Sequence, residues 1–279
     1  MEGNDCYKFS TIRNYVALTG APPIRVVMDV GANVGAITRL IKGYFPDAHV
    51  YAYEAVAEYA EIAAANTRDL ARVSVQHKAI TAAHRFLDDA GRRRRRRPVG
   101  LRVLKGLPQA GPGWAGGSMV VPADDPAVAG GAPGYELLVD AVPGATFDEV
   151  VADVLLAEGT RDVDIVKMDC EGCEHSCLGA ARTATLERCR YIVGEYHGIQ
   201  RFYDVMESSL YRTHKVNLVG QGDLGAFFAE RKGTGESILR DDNAGMRTAR
   251  PWLGERPIDW HLFDERFVLP EDRRWHALP

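Results

Sequence analysis

Charged residues are concentrated where one predicted strand, Val163–Asp169, gives way to a turn. The segment reads Lys167-Met-Asp169-Cys-Glu171-Gly172-Cys-Glu174. Burying several charged groups at the end of a central strand costs free energy unless the groups bind something. In open α/β sheets, ligands bind at the carboxyl ends of the strands. The segment therefore predicts a ligand-binding edge with Asp169 and Glu171 at its mouth.

A glycine-containing turn follows another predicted strand and reads Asp29-Val-Gly31-Ala-Asn33-Val-Gly35. Glycine lets the backbone approach a ligand closely, and the helix that follows presents free N–H groups. A dinucleotide site has glycine where Asn33 stands, and the acid Asp29 repels a pyrophosphate. An acid suits a ligand with an ammonium group, which S-adenosylmethionine carries beside its sulfonium. The alternative is a purely structural turn.

Glu54 ends the next predicted strand, His49–Glu54, and lies 19 residues after Gly35. In Rossmann-type folds an acid here accepts hydrogen bonds from both ribose hydroxyls. Glu54 therefore predicts nucleoside binding without distinguishing S-adenosylmethionine from NAD. The alternative is an exposed glutamate at a strand end.

Glu195 and His197 lie at the same predicted edge, where the strand Tyr191–Tyr196 ends. Methylating a hydroxyl requires a group that takes its proton, and histidine is the usual base near neutral pH. We expect His197 to be that base, with Glu195 orienting it or holding its proton. Two alternatives remain. One is that His197 has only a structural role, and the other is that it joins Asp169, Glu171 and Glu195 around a divalent cation. Our prediction assigns no metal.

Alternating strand and helix patterns position these residues. The predicted strands are Arg25–Val30, His49–Glu54, Arg72–Ile80, Val163–Asp169 and Tyr191–Tyr196, followed by an antiparallel closing pair at Lys215–Val219 and Ala226–Glu230. A capping box, Thr146 to Glu149, opens a helix that Gly159 ends. This order predicts an α/β fold with a mostly parallel, doubly wound sheet.

We predict one domain over residues 1–279 with two irregular parts. Residues 81–145 are rich in glycine and proline, and we interpret them as an insertion on the substrate side. Residues 231–279 form a charged, proline-punctuated tail. The insertion holds six consecutive arginines, Arg92–Arg97. No aromatic residues are interleaved with them, which disfavours a nucleic-acid site. The arginines are more typical of a solvated loop or of a contact with an anionic acceptor.

These motifs together resemble the FkbM family of methyltransferases. The K-x-D-x-E-G-x-E string that begins at Lys167 is similar to the hallmark of that family, as are the Asp29–Gly35 loop, Glu54 and Gly222–Glu230. The resemblance covers roughly residues 26–80 and 146–232. It implies a Rossmann-like class I methyltransferase fold, with a mostly parallel seven-stranded sheet and an antiparallel last strand. It also implies methyl transfer, usually to a hydroxyl of a small molecule.

The resemblance implies a site for S-adenosylmethionine on this chain. Its methionine part would be held by Asp29, Gly31, Asn33 and Gly35, and its ribose by Glu54. Asp169 would contact the cofactor and, with Glu171, meet the acceptor. Many methyltransferases read adenine with an acid or Asn after the third strand. This chain has Gln76-His-Lys-Ala79-Ile80 there, and we include Ala79 in the cofactor site.

Composition limits the class of protein. The chain of 279 residues is 46% hydrophobic and 26% charged, with a net charge of −4. That charge gives no general attraction to nucleic acid. No apolar run approaches the roughly 20 residues that span a bilayer, and the first residues lack the apolar core of a signal peptide. We therefore expect a cytoplasmic protein with a small-molecule partner.

The five cysteines, an odd and clustered set, argue against a secreted disulfide framework. Cys170-x2-Cys173-x3-Cys177 lacks the second ligand pair that zinc sites usually have.

The leading function is an O-methyltransferase that acts on a small molecule, of the natural-product tailoring type. Two alternatives are an NAD-dependent oxidoreductase, which Asn33 disfavours, and a nucleic-acid-binding or RNA-modifying protein that uses Arg92–Arg97.

Overall fold

A computed structural model of the protein describes residues 7–82, 101–106, 119–122, 135–138, 142–221, 224–233, 237–239 and 266–267. For residues 101–106, 119–122, 135–138 and 219–221 it describes the backbone alone. The arginine run Arg92–Arg97 lies outside the described residues, as do Gly222 and most of the predicted insertion and C-terminal tail.

In the described residues, twelve strands form three sheets. In chain order they are β1 (Val26–Val30), β2 (His49–Glu54), β3 (Val73–His77), β4 (Ala79–Thr81), β5 (Leu101–Gly106), β6 (Met119–Pro122), β7 (Tyr135–Leu138), β8 (Gly144–Thr146), β9 (Val163–Met168), β10 (Cys189–His197), β11 (His214–Gln221) and β12 (Leu224–Arg231). Seven of them make the main sheet in the order β11-β12-β10-β9-β1-β2-β3. Strands β4 and β8 form a two-stranded sheet, and β6, β5 and β7, in that order, form a three-stranded sheet.

The main sheet confirms the predicted fold class. β1 pairs in parallel with β2 and β9, β2 with β3, and β9 with β10, whereas β12 runs antiparallel to both β10 and β11. The sequence therefore predicted correctly a mostly parallel sheet of seven strands with an antiparallel last strand, the arrangement of class I methyltransferases. All five residues of β1 are buried, as expected for a central parallel strand covered on both faces.

The helices are α1 (Phe9–Thr19), α2 (Ala36–Tyr44), α3 (Ala57–Thr67), α4 (Phe147–Glu158), α5 (Cys173–Ala180), α6 (Thr183–Leu186), α7 (Ile199–Val205), a π-helical turn at Met206–Leu210 and α8 (Tyr211–Thr213). The predicted capping box of α4 is present, because the Thr146 hydroxyl accepts from the Glu149 backbone while the Glu149 carboxylate accepts from the Thr146 N–H. α1 is absent from the sequence prediction. None of the described helices is long and apolar enough to cross a membrane.

Alternate residues of the central strands feed two hydrophobic cores, because successive side chains of a strand point to opposite faces. Met28 and Val166 belong to the core that α4 and α5 cover. Val27 and Ile165 belong to the opposite core, which includes Phe9 and other residues of α1. Helices on both faces leave the carboxyl edge of the sheet open for a site.

The predicted strand Arg72–Ile80 is in fact two strands. After β3, the backbone N–H of Lys78 donates to the Glu54 carbonyl oxygen, and that of Ala79 donates to Pro143. The chain thereby leaves the main sheet, and β4 pairs with β8 instead. This change of partner brings Ala79 beside the end of β2.

Candidate active site

One cleft opens at the carboxyl edge of the main sheet, and we call it the edge cleft. Its volume is about 220 Å³, and it is lined by Val30, Gly31, Asn33, Tyr53, Glu54, Ala55, Tyr59, Lys78, Ala79, Ile80, Asp169, Cys170, Glu171, Cys173 and Glu195. The structure thus brings together seven predicted site residues from separate parts of the chain: Gly31, Asn33, Glu54, Ala79, Asp169, Glu171 and Glu195. Three others, Asp29, Gly35 and His197, do not line it.

The glycines of the loop after β1 serve the protein's own packing. Gly31 and Gly35 have positive φ angles of 78° and 83°. A Cβ on Gly31 would lie 1.8 Å from the carbonyl oxygen of Asp169, and one on Gly35 would lie 3.1 Å from the Cα of Ala63. Both positions therefore need glycine for the protein's own packing, and Gly31 also lines the edge cleft whereas Gly35 does not.

Glu54 connects the loop to the end of β2. Its Oε2 accepts from the backbone N–H of Asn33 at 2.8 Å, and its Oε1 accepts from that of Val56 at 2.9 Å. Burial raises the pKa of this carboxyl, and the two N–H donors oppose that shift. Each carboxylate oxygen can accept more than one hydrogen bond, so Glu54 keeps capacity for two hydroxyls in the edge cleft.

Asp29 is completely buried, and the protein itself uses both of its carboxylate oxygens. Thr38 donates its hydroxyl to Oδ2 at 2.6 Å, and Lys167 Nζ lies 3.0 Å from Oδ1. The side chain therefore has no surface for the direct contact with methionine that the sequence suggested. It acts through the groups that it holds.

Lys167, to which the sequence assigned no role, connects the loop after β1 to the turn after β9. It is 1% exposed and donates to the Gly31 carbonyl at 2.8 Å, and its Nζ lies 3.9 Å from Asp169 Oδ2. Burial alone lowers the pKa of Lys167, but Asp29 and Asp169 outweigh this effect and the pKa is raised. The signal for it was a lysine inside an apolar strand, two residues before an acid.

Tyr7 also supports the site, and no local pattern could have revealed it. Its hydroxyl donates to Asp169 Oδ2 at 2.7 Å across 162 residues of sequence. Its ring lies beneath Lys167, whose Nζ is 5.7 Å from the ring centre. The segment before α1 thus helps to fix Asp169.

His197 lies between two carboxylates. Its Nε2 is 3.2 Å from Glu171 Oε2, and its Nδ1 is 3.1 Å from Glu174 Oε1. Burial alone lowers the pKa of His197, but the two glutamates outweigh it and raise the pKa to about 10. At neutral pH the ring is therefore an imidazolium, which has no lone pair to accept a proton. This geometry does not fit the expectation that His197 is a neutral base.

Glu195 is half-buried and lines the edge cleft. Burial raises the pKa of its carboxyl most strongly, and the nearby charges of Asp169 and Glu171 raise it further. Within the described part of the chain, its carboxylate makes no hydrogen bond. Glu195 is therefore an available acid–base group at the mouth of the cleft.

Donor atoms of Asp169, Glu195 and His197 lie within 4.8 Å of one another, close enough to share a cation. Glu171, the fourth residue of the sequence-based metal alternative, is not in this group. Both ring nitrogens of His197 already face glutamates, so its positive charge offsets acidic charge beside this group. The arrangement is thus compatible with a site that needs no metal.

The sequence did not predict the disulfide between Cys170 and Cys173. It closes the turn that carries Glu171, and both cysteines line the edge cleft. The bond takes up the two thiols that a zinc site would require. Cys177 and Cys189 are buried free thiols.

A protein-family model matches part of the chain. Residues 138–216 match the family model of the methyltransferase FkbM domain, so the family that the sequence resembles is confirmed over that segment. No curated protein matches the chain.

Solved structures of methyltransferases are similar to the chain at low identity. A precorrin-6y C5,15-methyltransferase from Geobacter metallireducens is 10% identical, with 83% of this chain and 91% of that chain covered and a TM-score of 0.40. An O-methyltransferase from Bacillus cereus in complex with SAH is 14% identical, with 83% and 84% covered and a TM-score of 0.41. A SAM-dependent methyltransferase from Aquifex aeolicus is 12% identical, with 81% and 98% covered and a TM-score of 0.34.

Proposed function

We propose, from the FkbM methyltransferase domain in residues 138–216, that this methyltransferase uses S-adenosylmethionine to methylate a hydroxyl of a small molecule. The observation that carries the proposal is the edge cleft itself. Backbone of the loop after β1, the acid at the end of β2 and the acids after β9 and in β10 all converge on it. Natural-product tailoring, which the family resemblance suggests, is part of the same proposal.

The residues around the edge cleft fit the parts of S-adenosylmethionine. Glu54 is proposed to accept the two ribose hydroxyls, since it lines the cleft and its oxygens keep hydrogen-bonding capacity. The backbone of Gly31 and Asn33, with Asp169, would hold the amino-acid part. Asp29 and Gly35 support this loop from behind. Tyr59, Ala79 and Ile80 offer aromatic and apolar surface for adenine in place of an acid.

Glu195 is our candidate for the group that takes the acceptor's proton. When bound, S-adenosylmethionine supplies a methyl group activated by its sulfonium. An acceptor hydroxyl must lose its proton as its oxygen bonds to that methyl, and a carboxylate with a raised pKa serves as base closer to neutral pH than an ordinary one. Glu195 has this property, lies on the cleft and has no competing hydrogen bond among the described residues.

Asp169 and His197 complete the proposed catalytic set. We call the part of the edge cleft lined by Glu171 and Glu195 its acceptor end. Beside it, the imidazolium of His197 offsets the charges of Glu171 and Glu174. Asp169, fixed by Tyr7, stands where the acceptor would approach. These roles depend mainly on alignment, which is the chief requirement of a direct methyl displacement.

Calorimetry with S-adenosylhomocysteine and with NAD tests the cofactor assignment. Binding of S-adenosylhomocysteine without binding of NAD is expected. The acceptor class is tested by incubating the protein with labelled S-adenosylmethionine and separate panels of small-molecule alcohols, amines and RNA. Label that enters an O-methyl ether of a small-molecule alcohol supports the proposal. Label that enters only amines or RNA would overturn it while leaving the methyltransferase assignment in place.

A further inference from the structure

Glu174 is a fully buried carboxylate at the start of α5, and it connects two segments of the site. Its Oε2 accepts from the backbone N–H of Gly172 at 3.0 Å. Its Oε1 accepts from the backbone N–H of His197 at 3.0 Å and faces the ring Nδ1 at 3.1 Å. A single side chain thus joins the turn after β9 to the end of β10.

The charge of Glu174 is balanced by histidine. Among the residues described, no lysine or arginine pairs with it, and its ionic contacts are His197 and His175, whose Nε2 lies 3.4 Å from Oε1. His175 Nε2 also contacts the backbone carbonyl of His197. A buried carboxylate without a cation is costly, so Glu174 favours a charged His197.

Glu174 also holds the turn between Cys170 and Cys173. Glu171 and Gly172 have φ angles of 54° and 99°, so this short turn lies in the left-handed region. The Glu174 carboxylate fastens it through the N–H of Gly172. The same turn carries the Glu171 carboxylate to within 3.2 Å of His197 Nε2. Glu174 therefore contacts His197 directly and holds Gly172, the backbone neighbour of Glu171.

We infer that Glu174 is a positioning residue for methyl transfer, which fixes His197 and the Glu171 turn against each other at the acceptor end of the edge cleft. This inference rests on the proposed function, because it assumes that the reaction occurs at that end. Glu174 does not line the cleft and acts only through the residues it holds. Gly31, Asn33 and Glu54 lie on other strands and loops, so cofactor binding is expected to be independent of it.

The test compares Glu174→Gln with a matched control, Glu187→Gln, whose side chain is exposed away from the site. Glutamine keeps the shape of Glu174, but it removes the charge, and its single carbonyl oxygen can accept from only one of the two backbone N–H groups, Gly172 or His197. NMR titration of His197 is expected to show a pKa lower by about one unit or more in Glu174→Gln. The groups that face His197 are Asp169, Glu171, Glu174 and His175, with Glu195 on its own strand, and only Glu174 is substituted.

The kinetic expectation for Glu174→Gln is a fall in kcat of about tenfold or more, since small misplacements at a reacting centre are costly. Affinity for S-adenosylhomocysteine is expected to stay within about threefold of wild type, because the variant leaves Gly31, Asn33 and Glu54 unchanged. Glu187→Gln should change none of these quantities. A purely structural role would lower the melting temperature and leave both the His197 pKa and kcat unchanged, which would overturn the inference.

A measurement on the unmodified protein covers the case in which Glu174→Gln does not fold. If His197 of the wild type titrates at its ordinary pKa, Glu174 does not hold it and the inference is wrong. Failure of the proposed function is distinguishable, since it would appear as absent binding of S-adenosylhomocysteine to the wild-type protein. The His197 titration does not depend on that binding.

Discussion

The position of a Cβ on Gly31 would be 1.8 Å from the carbonyl oxygen of Asp169, so the loop after β1 and the turn after β9 touch backbone to backbone. Lys167 strengthens this contact by donating to the carbonyl oxygen of Gly31. The loop after β1 and Asp169, at the mouth of the edge cleft, are therefore in direct backbone contact, and a side chain at position 31 would displace Asp169.

Gly31→Ala is expected to lower stability and to abolish binding of S-adenosylhomocysteine. The substitution places an L side chain at positive φ, which costs about 1–2 kcal/mol before the clash with Asp169 is counted. Gly43→Ala is the control, because Gly43 lies in α2 with nothing near its Cβ position. That variant should be as stable as wild type or more stable by about 0.5–1 kcal/mol. Thermal melts and calorimetry of both variants check this pair.

Glu54→Gln is expected to weaken S-adenosylhomocysteine binding while the fold survives. A carboxylate that accepts from two hydroxyls makes charge-assisted hydrogen bonds, and their loss costs about 1.5–3 kcal/mol, a factor of about 10 to 150 in Kd. The exposed Glu61 of α3 supplies the control variant Glu61→Gln. Calorimetry measures both. Unchanged affinity in a folded Glu54 variant would remove Glu54 from the ribose site.

Glu195→Gln is expected to lower kcat by about 100-fold, the lower range of what a positioned base contributes. Because the base must be deprotonated, the wild-type rate should rise with pH through the raised pKa of Glu195, and the variant should lose that limb. His197→Gln should lower kcat and keep the limb, since the imidazolium is not the base. Loss of the limb in His197→Gln alone would restore His197 as the base. Glu207→Gln, at an exposed position, is the control.

Two histidines are expected to give opposite dependences of stability on pH. The folded pKa of His197 is about 10 against 6.5 for an ordinary histidine, so its stabilisation is complete below 6.5 and is lost as pH rises through 10. Burial lowers the pKa of His214 to about 4, so its contribution is present above 6.5 and is lost as pH falls towards 4. Denaturant titrations across this range should be flatter on the alkaline side for His197→Gln and on the acid side for His214→Gln. Parallel curves for both variants and wild type would contradict these shifts.

Removal of divalent cations is expected to leave methyl transfer unchanged. The charge of His197 already stands among Asp169, Glu171 and Glu195, so a metal is not needed to offset these acids. The measurement is kcat after dialysis against EDTA, with and without added Mg²⁺. Loss of activity that Mg²⁺ restores would instead show that Asp169, Glu195 and His197 hold a cation.

The sequence predicted the elements whose signals are local. The apolar run of β1, the capping box at Thr146 and the acids that follow β9 each arise from residues within one short segment, and the structure contains them. It could not predict the contact of Tyr7 with Asp169, nor the pairing of Thr38 with Asp29, because both depend on how separate elements pack. For the same reason, Asp29 was assigned to the ligand when packing had placed it inside the protein.

The same limit applies to His197. Histidine type and strand position suggested a base, but its charge is set by Glu171 and Glu174, which lie more than 20 residues earlier in the chain. A sequence pattern gives the kind of group at an edge. The protonation of that group depends on neighbours that only the folded chain supplies.

The place of β12 in the main sheet has a consequence for synthesis on the ribosome. β12 lies between β10 and β11, although it follows both in the chain. Until residues 224–231 have emerged, β10 has an open edge and β11 has no partner in the sheet. The nascent chain thus carries an unpaired strand edge late in translation, a stage at which such edges invite association with other chains. Truncation before Leu224 should therefore give an aggregating product, even though every residue of the edge cleft has already been made.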